Sequence, residues 1–217
     1  QGIAECEALI AKIGVSAFLV ECQHQTASLT GTLFQRHWFP IVADWPRAAR
    51  QIRCWDLAGT EPSTQHPDPD WTGGARIAFQ GGQYWVVDVQ RFRLSPKKVE
   101  DRIAQQAALD GQTVEILIEQ EPGSSGKAVI EDMQRRVLTG YSVRGIPSTG
   151  SKQDRAKPAA SAAEAKNILL VEGPWITPFL ETLCLFPHGK HDDDVDVLSM
   201  GVNALGIPTK RAGTWGR

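Results

Sequence analysis

The chain has 217 residues, 41% of them hydrophobic and 22% charged. That suits one large domain, or a domain with an arm, and it excludes a disordered chain or a stapled mini-protein. With 23 Lys and Arg against 25 Asp and Glu the formal charge is −2, so the chain is not a basic nucleic-acid coat. Nuclease chemistry stays open, because acids gathered on metal ions would hide a basic rim.

Residues 1–50 read as an arm: a short amphipathic helix at 5–13, an extended run Ala17-Phe18-Leu19-Val20, then polar sequence and an aromatic segment without a clean period. The arm ends where residues 51–58 (QIRCWDLA) take on strand character before a turn at Ala58-Gly59-Thr60. After a Pro- and Asp-rich loop, residues 75–79 and 84–92 flank Gly81-Gly82 and predict a hairpin. Ser95 and Pro96 then suit the N-cap and first position of a helix running to about Leu109.

Residues 114–119 (VEILIE) predict a fourth strand, 127–138 a helix and 141–146 a fifth strand. Residues 150–158 (GSKQDRAKP) read as a basic loop ahead of a short helix at 159–165. A strand at 168–171, a helix at 175–185 and a last helix at 191–205 follow, leaving a Gly-rich basic tail at 207–217 that contains Trp215. An antiparallel start followed by strands alternating with helices predicts an α/β fold, a central mixed sheet with helices on both faces.

The cysteines Cys6, Cys22, Cys54 and Cys184 form no CxxC pair, so neither a zinc ribbon nor a redox motif is present. No apolar run reaches the ~20 residues of a membrane helix. There is no Met at position 1 and no Walker A motif. The sequence therefore reads as a piece excised from a longer polypeptide.

Three acidic clusters fall at element ends. Asp56 lies in the first strand, Glu119 closes the apolar run of the fourth with Glu121 two residues on, and Asp193 and Asp196 share a face of the last helix. Converging carboxylates repel one another unless divalent cations bind them, and hard oxygen ligands select Mg²⁺ or Mn²⁺ over zinc. Each signal has a plainer reading. A strand Asp beside a turn is commonly structural, and Asp192 to Asp196 suit the solvated N-terminus of a helix.

The order of elements and the acids resemble the C-terminal nuclease domain of the large terminase subunit of tailed bacteriophages, an RNase H-like fold related to RuvC-type resolvases. The resemblance covers about residues 51–206. It rests on Cys54-Trp55-Asp56-Leu57-Ala58-Gly59, Asp70-Trp71-Thr72, the run from Ile118 to Gly126, Lys152 to Pro158, and His191-Asp192-Asp193-Asp194-Val195-Asp196-Val197-Leu198. Val197 stands where the family shows a small residue.

The resemblance implies a Mg²⁺- or Mn²⁺-dependent endodeoxyribonuclease that cuts concatemeric double-stranded phage DNA with two ions during genome packaging. Asp56, Glu119, Asp193 and Asp196 would be catalytic, and Asp56, Glu119 or Glu121, Asp193 and Asp196 would be metal ligands. Lys152, Arg155 and Lys157 would contact DNA from a loop, and Asp70 would orient the site from outside. Residues 18–23 and 31–34 resemble the junction to a packaging ATPase, so the ATPase domain of the same polypeptide, the small terminase subunit and the portal protein are the implied partners. The host cytoplasm is the implied location. Two further readings stand beside this one: another RNase H-like nuclease such as a Holliday-junction resolvase, and a non-catalytic module docking on a portal or partner.

Overall fold

The computed structural model describes residues 33–206. The arm helix at 5–13, most of the expected ATPase junction and the tail with Trp215 lie outside the described residues. Seven strands form one sheet: β1 (Ile41–Val42), β2 (Arg50–Asp56), β3 (Thr72–Gln80), β4 (Gln83–Phe92), β5 (Glu115–Gln120), β6 (Val143–Pro147) and β7 (Ile168–Val171). Their order is β1-β7-β4-β3-β2-β5-β6. β2, β3 and β4 pair antiparallel, while β5 joins β2, β6 joins β5, and β7 joins both β4 and β1 in parallel. The mixed sheet is the expected one, enlarged by β1.

The β3–β4 hairpin turns at Gly81 and Gly82, with φ of 60° and 86°. Positive φ at both central residues is the geometry of a tight two-residue turn, and glycine adopts it without a Cβ clash.

Among the described residues, five helices cover the sheet: α1 (Pro96–Asp110), α2 (Ser124–Asp132), α3 (Lys152–Glu164), α4 (Ile176–Leu185) and α5 (Asp193–Gly206). On one face α1 and α2 bury Val99, Ile103, Ala107 and Ile130 against Trp55, Ile116 and Ile118. On the other, α3, α4 and α5 pack against Ile52, Cys54, Ile77, Leu117 and Leu170. Alternation along β2 therefore sends Trp55 one way and Cys54 the other. Gly201 lets α5 approach the sheet closely: a Cβ there would lie 2.4 Å from Cδ1 of Ile77.

The stretch after residue 32, expected as the end of an arm, is docked on this body. Phe34 and Phe39 are buried in the α3–α5 core, and Trp45 and Ala49 pack with Ala78 and Trp85. Cys54 is buried and Cys184 partly so, both as free thiols.

Two local expectations are corrected. Residues 152–158 of the expected basic loop form the first half of α3. Ser151 caps it, its Oγ accepting from the Asp154 amide at 3.1 Å, and the alanines Ala156, Ala159, Ala160 and Ala163 bury one face. Capping and burial outweigh the polar composition that suggested a loop, and Pro158 is tolerated inside the helix. The helix expected at 127–138 begins at Ser124 and closes in a π turn, Met133–Val137.

Candidate metal centre

Trp55 of β2 and Ile118 of β5 are register partners on neighbouring parallel strands. The next residues, Asp56 and Glu119, therefore lie side by side where the two strands end. Asp56 has the parity of Ile52 and Cys54, and Glu119 that of Leu117, so both face the α5 side. Asp196, in the first turn of α5, meets them from above. One carboxylate oxygen from each of Asp56, Glu119 and Asp196 lies within 4.8 Å of the others.

Asp193 and Glu121 line the same cleft, of about 480 Å³, outside that three-residue group. Asp193 is buried against β3, its Cβ 3.3 Å from where a Cβ on Gly73 would stand. Glu121 lies beyond the end of β5 and is exposed, whereas Glu119 is half-buried and accepts from Oγ of Ser148. Asp70 and Trp71 also line the cleft, the Asp70 carboxylate largely in solvent.

Burial, and then the charges of Glu119, Asp196 and Asp193, push the Asp56 carboxyl up to about 8. Burial also raises Asp193. Three carboxylates this close are unfavourable together without compensating positive charge. The donor set is all oxygen, hard and anionic, which fits a divalent cation of the Mg²⁺ or Mn²⁺ type.

The solvated reading of the aspartates at the start of α5 is overturned. Asp193, Asp194 and Asp196 are all buried. Asp194, expected as N-terminal charge, turns away from the cleft. Burial raises its carboxyl to about 6 against the opposing pull of Arg91, whose Nη1 lies 3.2 Å from Oδ2.

The basic residues are also placed differently from expectation. Lys152 and Arg155 belong to the cleft's own acid network. Lys152 Nζ donates to Oδ1 of Asp192 at 2.7 Å and to Oδ2 of Asp196 at 2.8 Å. Arg155 Nη2 donates to Oδ1 of Asp196 at 2.9 Å and lies 3.4 Å from Oε1 of Glu119. Lys157, on the exposed side of α3, pairs with Asp154. Their i, i+3 spacing in a helix would have been the signal for Lys152 and Arg155, had the segment been read as helical.

Sequence reasoning also missed a clasp beside the site. Asp68 accepts from Arg93 and Lys190 and lies 3.0 Å from Nε2 of His191. These contacts hold its carboxyl well below the usual range, the Lys190 hydrogen bond most strongly. Arg93 stacks 3.9 Å from the Trp71 ring centroid, fixing the cleft wall.

A mixed sheet that ends two adjacent strands on carboxylates, met by acids from the last helix, defines an RNase H-like nuclease domain. The chain belongs to the terminase RNaseH-like domain family, which matches residues 53–205. Solved structures agree on the fold. The large terminase nuclease from thermophilic phage G20c with bound magnesium is 15% identical, covers 75% of this chain and 85% of its own, and has a TM-score of 0.55. The zinc-bound form of that nuclease is 16% identical over 80% and 98% of the two chains, also at 0.55. The human cytomegalovirus terminase nuclease domain, Mn soaked and inhibitor bound, is 13% identical over 80% and 95%, at 0.57. No curated protein sequence matches the chain significantly.

Proposed function

We propose that this domain hydrolyses phosphodiester bonds of double-stranded DNA with two Mg²⁺ or Mn²⁺ ions, as the cutting module of a phage packaging terminase. The observation that carries this reading is the convergence of Asp56, Glu119 and Asp196 within 4.8 Å at the end of two parallel strands. Asp56, from the centre of the sheet, would contact both ions. Glu119 and Asp196 would complete the set, with Asp193 and Glu121 on the cleft wall as further ligands. Bound there, the ions would supply an activated water and offset charge on the leaving oxygen.

The protein's own part is to hold the carboxylates at fixed spacing and to keep Asp56 half-buried until it is loaded. Lys157 is exposed, and Lys152 and Arg155 stand at the cleft edge. Such cations grip phosphates without reading bases, so cutting should be largely independent of sequence. Among the described residues no helix is long and apolar enough to cross a membrane. Within the terminase reading, an ATPase domain on the same polypeptide, the small terminase subunit and the portal are the partners, and the host cytoplasm is the place of action.

Nicking of supercoiled plasmid in Mn²⁺ tests the reading. Asp56→Ala should abolish cutting while leaving the far-ultraviolet circular dichroism of the parent. An Asp56→Ala protein that nicks as fast as the parent overturns it.

A further inference from the structure

Both oxygens of Asp196 are already taken by cations of the chain itself. Lys152 holds Oδ2 and Arg155 holds Oδ1. Lys152 also bridges to Asp192, and Arg155 reaches Glu119. Without metal, this pair supplies the positive charge that the converging carboxylates require.

The two cations are not equivalent. Arg155 is 22% exposed at its side chain, and its backbone oxygen accepts from Nδ2 of Asn203 on α5 at 2.9 Å. Its planar fork is fixed on the acids. Lys152 sits one turn earlier, in the first turn of α3, with its side chain 47% exposed. Its ammonium ends a flexible four-carbon stem with an open path to solvent. The helix itself is anchored, because Ala156, Ala159, Ala160 and Ala163 are buried on the α5 side of the sheet. Any exchange at Asp196 must therefore be a side-chain movement, and Lys152 is the side chain free to make it.

We propose that Lys152 is a placeholder for a divalent ion. Its ammonium occupies Oδ2 of Asp196 in the metal-free domain, and an incoming ion displaces it, while Arg155 stays and orients Asp196. The displaced ammonium is left at the rim of the cleft, free to meet a DNA phosphate. Metal loading and phosphate binding are then linked: by reciprocity, each strengthens the other. This inference rests on the metal-dependent reading of the site.

Titrating Mn²⁺ alone into the protein by calorimetry, at constant ionic strength, tests it. Lys152→Met should bind Mn²⁺ tighter than wild type by about fivefold, the size of one partly exposed ion pair that no longer competes. Lys152→Gln should do the same, and Lys152→Arg should return to wild-type affinity. Lys97→Met, which removes an equal charge from the exposed face of α1, should leave the affinity unchanged. In EDTA, Lys152→Met should melt below wild type, and saturating Mn²⁺ should close the gap. Lys152→Gln, which keeps hydrogen-bonding capacity without charge, serves if Lys152→Met fails to fold. Weaker or unchanged Mn²⁺ binding in folded Lys152→Met or Lys152→Gln, with binding intact in wild type, overturns the placeholder. No Mn²⁺ binding by wild type overturns the metal-dependent reading itself.

Discussion

Asp56 shows how one residue's surroundings set its chemistry. Its carboxyl is pushed up to about 8, first by burial and then by neighbouring acids, so near neutral pH the metal-free domain holds a proton there. A bound ion needs the carboxylate, so Mn²⁺ affinity should rise from about pH 6 and level above about pH 8, as measured by calorimetry. The same shift has a stability consequence. The unfolded chain releases this proton near its ordinary value of 3.8 and the folded one near 8. Metal-free stability should therefore fall as pH climbs through that window, because the folded state binds more protons there. Thermal melts in EDTA should show a lower midpoint at pH 8 than at pH 6, and Asp56→Asn should flatten the dependence. Arg53, three residues earlier, carries a different burden. It is 1% exposed and forms a bidentate pair with Asp110 at 2.7 and 2.9 Å, plus a bond to Asp88 at 2.8 Å. Asp110→Ala would leave the buried guanidinium only its bond to Asp88 and should cost about 3–5 kcal/mol in denaturant unfolding. In the sequence Asp110 stands just past the expected helix end at about Leu109 and before Gly111. Its partner lies 57 positions away, and nothing local marks such a pair.

At the level of elements, most of what the pattern of residues offered is present. The Gly81-Gly82 hairpin, the helix start at Pro96 and the short strand at 168–171 lie where the sequence pattern places them, although the Ser95 side chain makes no cap bond. The start of α3 was hidden because its first turn is polar, and its buried face is made of alanines that carry little hydrophobic signal. The depth of the aspartates in α5 was hidden for a related reason. Acids at a helix start suit the dipole whether they are solvated or buried, and only the tertiary position of α5 decides. β2 and β3 show how closely the elements around the site fit. Gly74 faces Trp55 across the pair, and a Cβ there would come within 2.2 Å of the indole. Gly74→Ala should therefore destabilise by about 1–3 kcal/mol. It should also weaken Mn²⁺ binding, because Trp55 immediately precedes Asp56. Chemical denaturation and calorimetry on the same sample would check both effects.

For the whole molecule, a net charge of −2 conceals a strong local asymmetry. Asp56, Asp70, Glu119, Glu121, Asp192, Asp193 and Asp196 all line one cleft, and Lys152 is the basic residue among its lining. Two divalent ions would change the formal balance from −2 to +2 (−2 + 4), so ion loading should strengthen DNA binding. Filter binding with Ca²⁺ in place of EDTA should show tighter retention of duplex DNA, and the gain should shrink as salt rises.

The three converging acids come from β2, β5 and α5, at positions 56, 119 and 196, gaps of 63 and 77 residues. No segment of the chain contains the centre, and no partial fold can. Contacts of such long range form late, after the costly loops between them have closed. A nascent chain, folding as it leaves the ribosome, therefore does not bring the three carboxylates together until α5 has been made and has docked. On the proposed reading, the wide spacing of the acids ties the capacity to cut to completion of the fold.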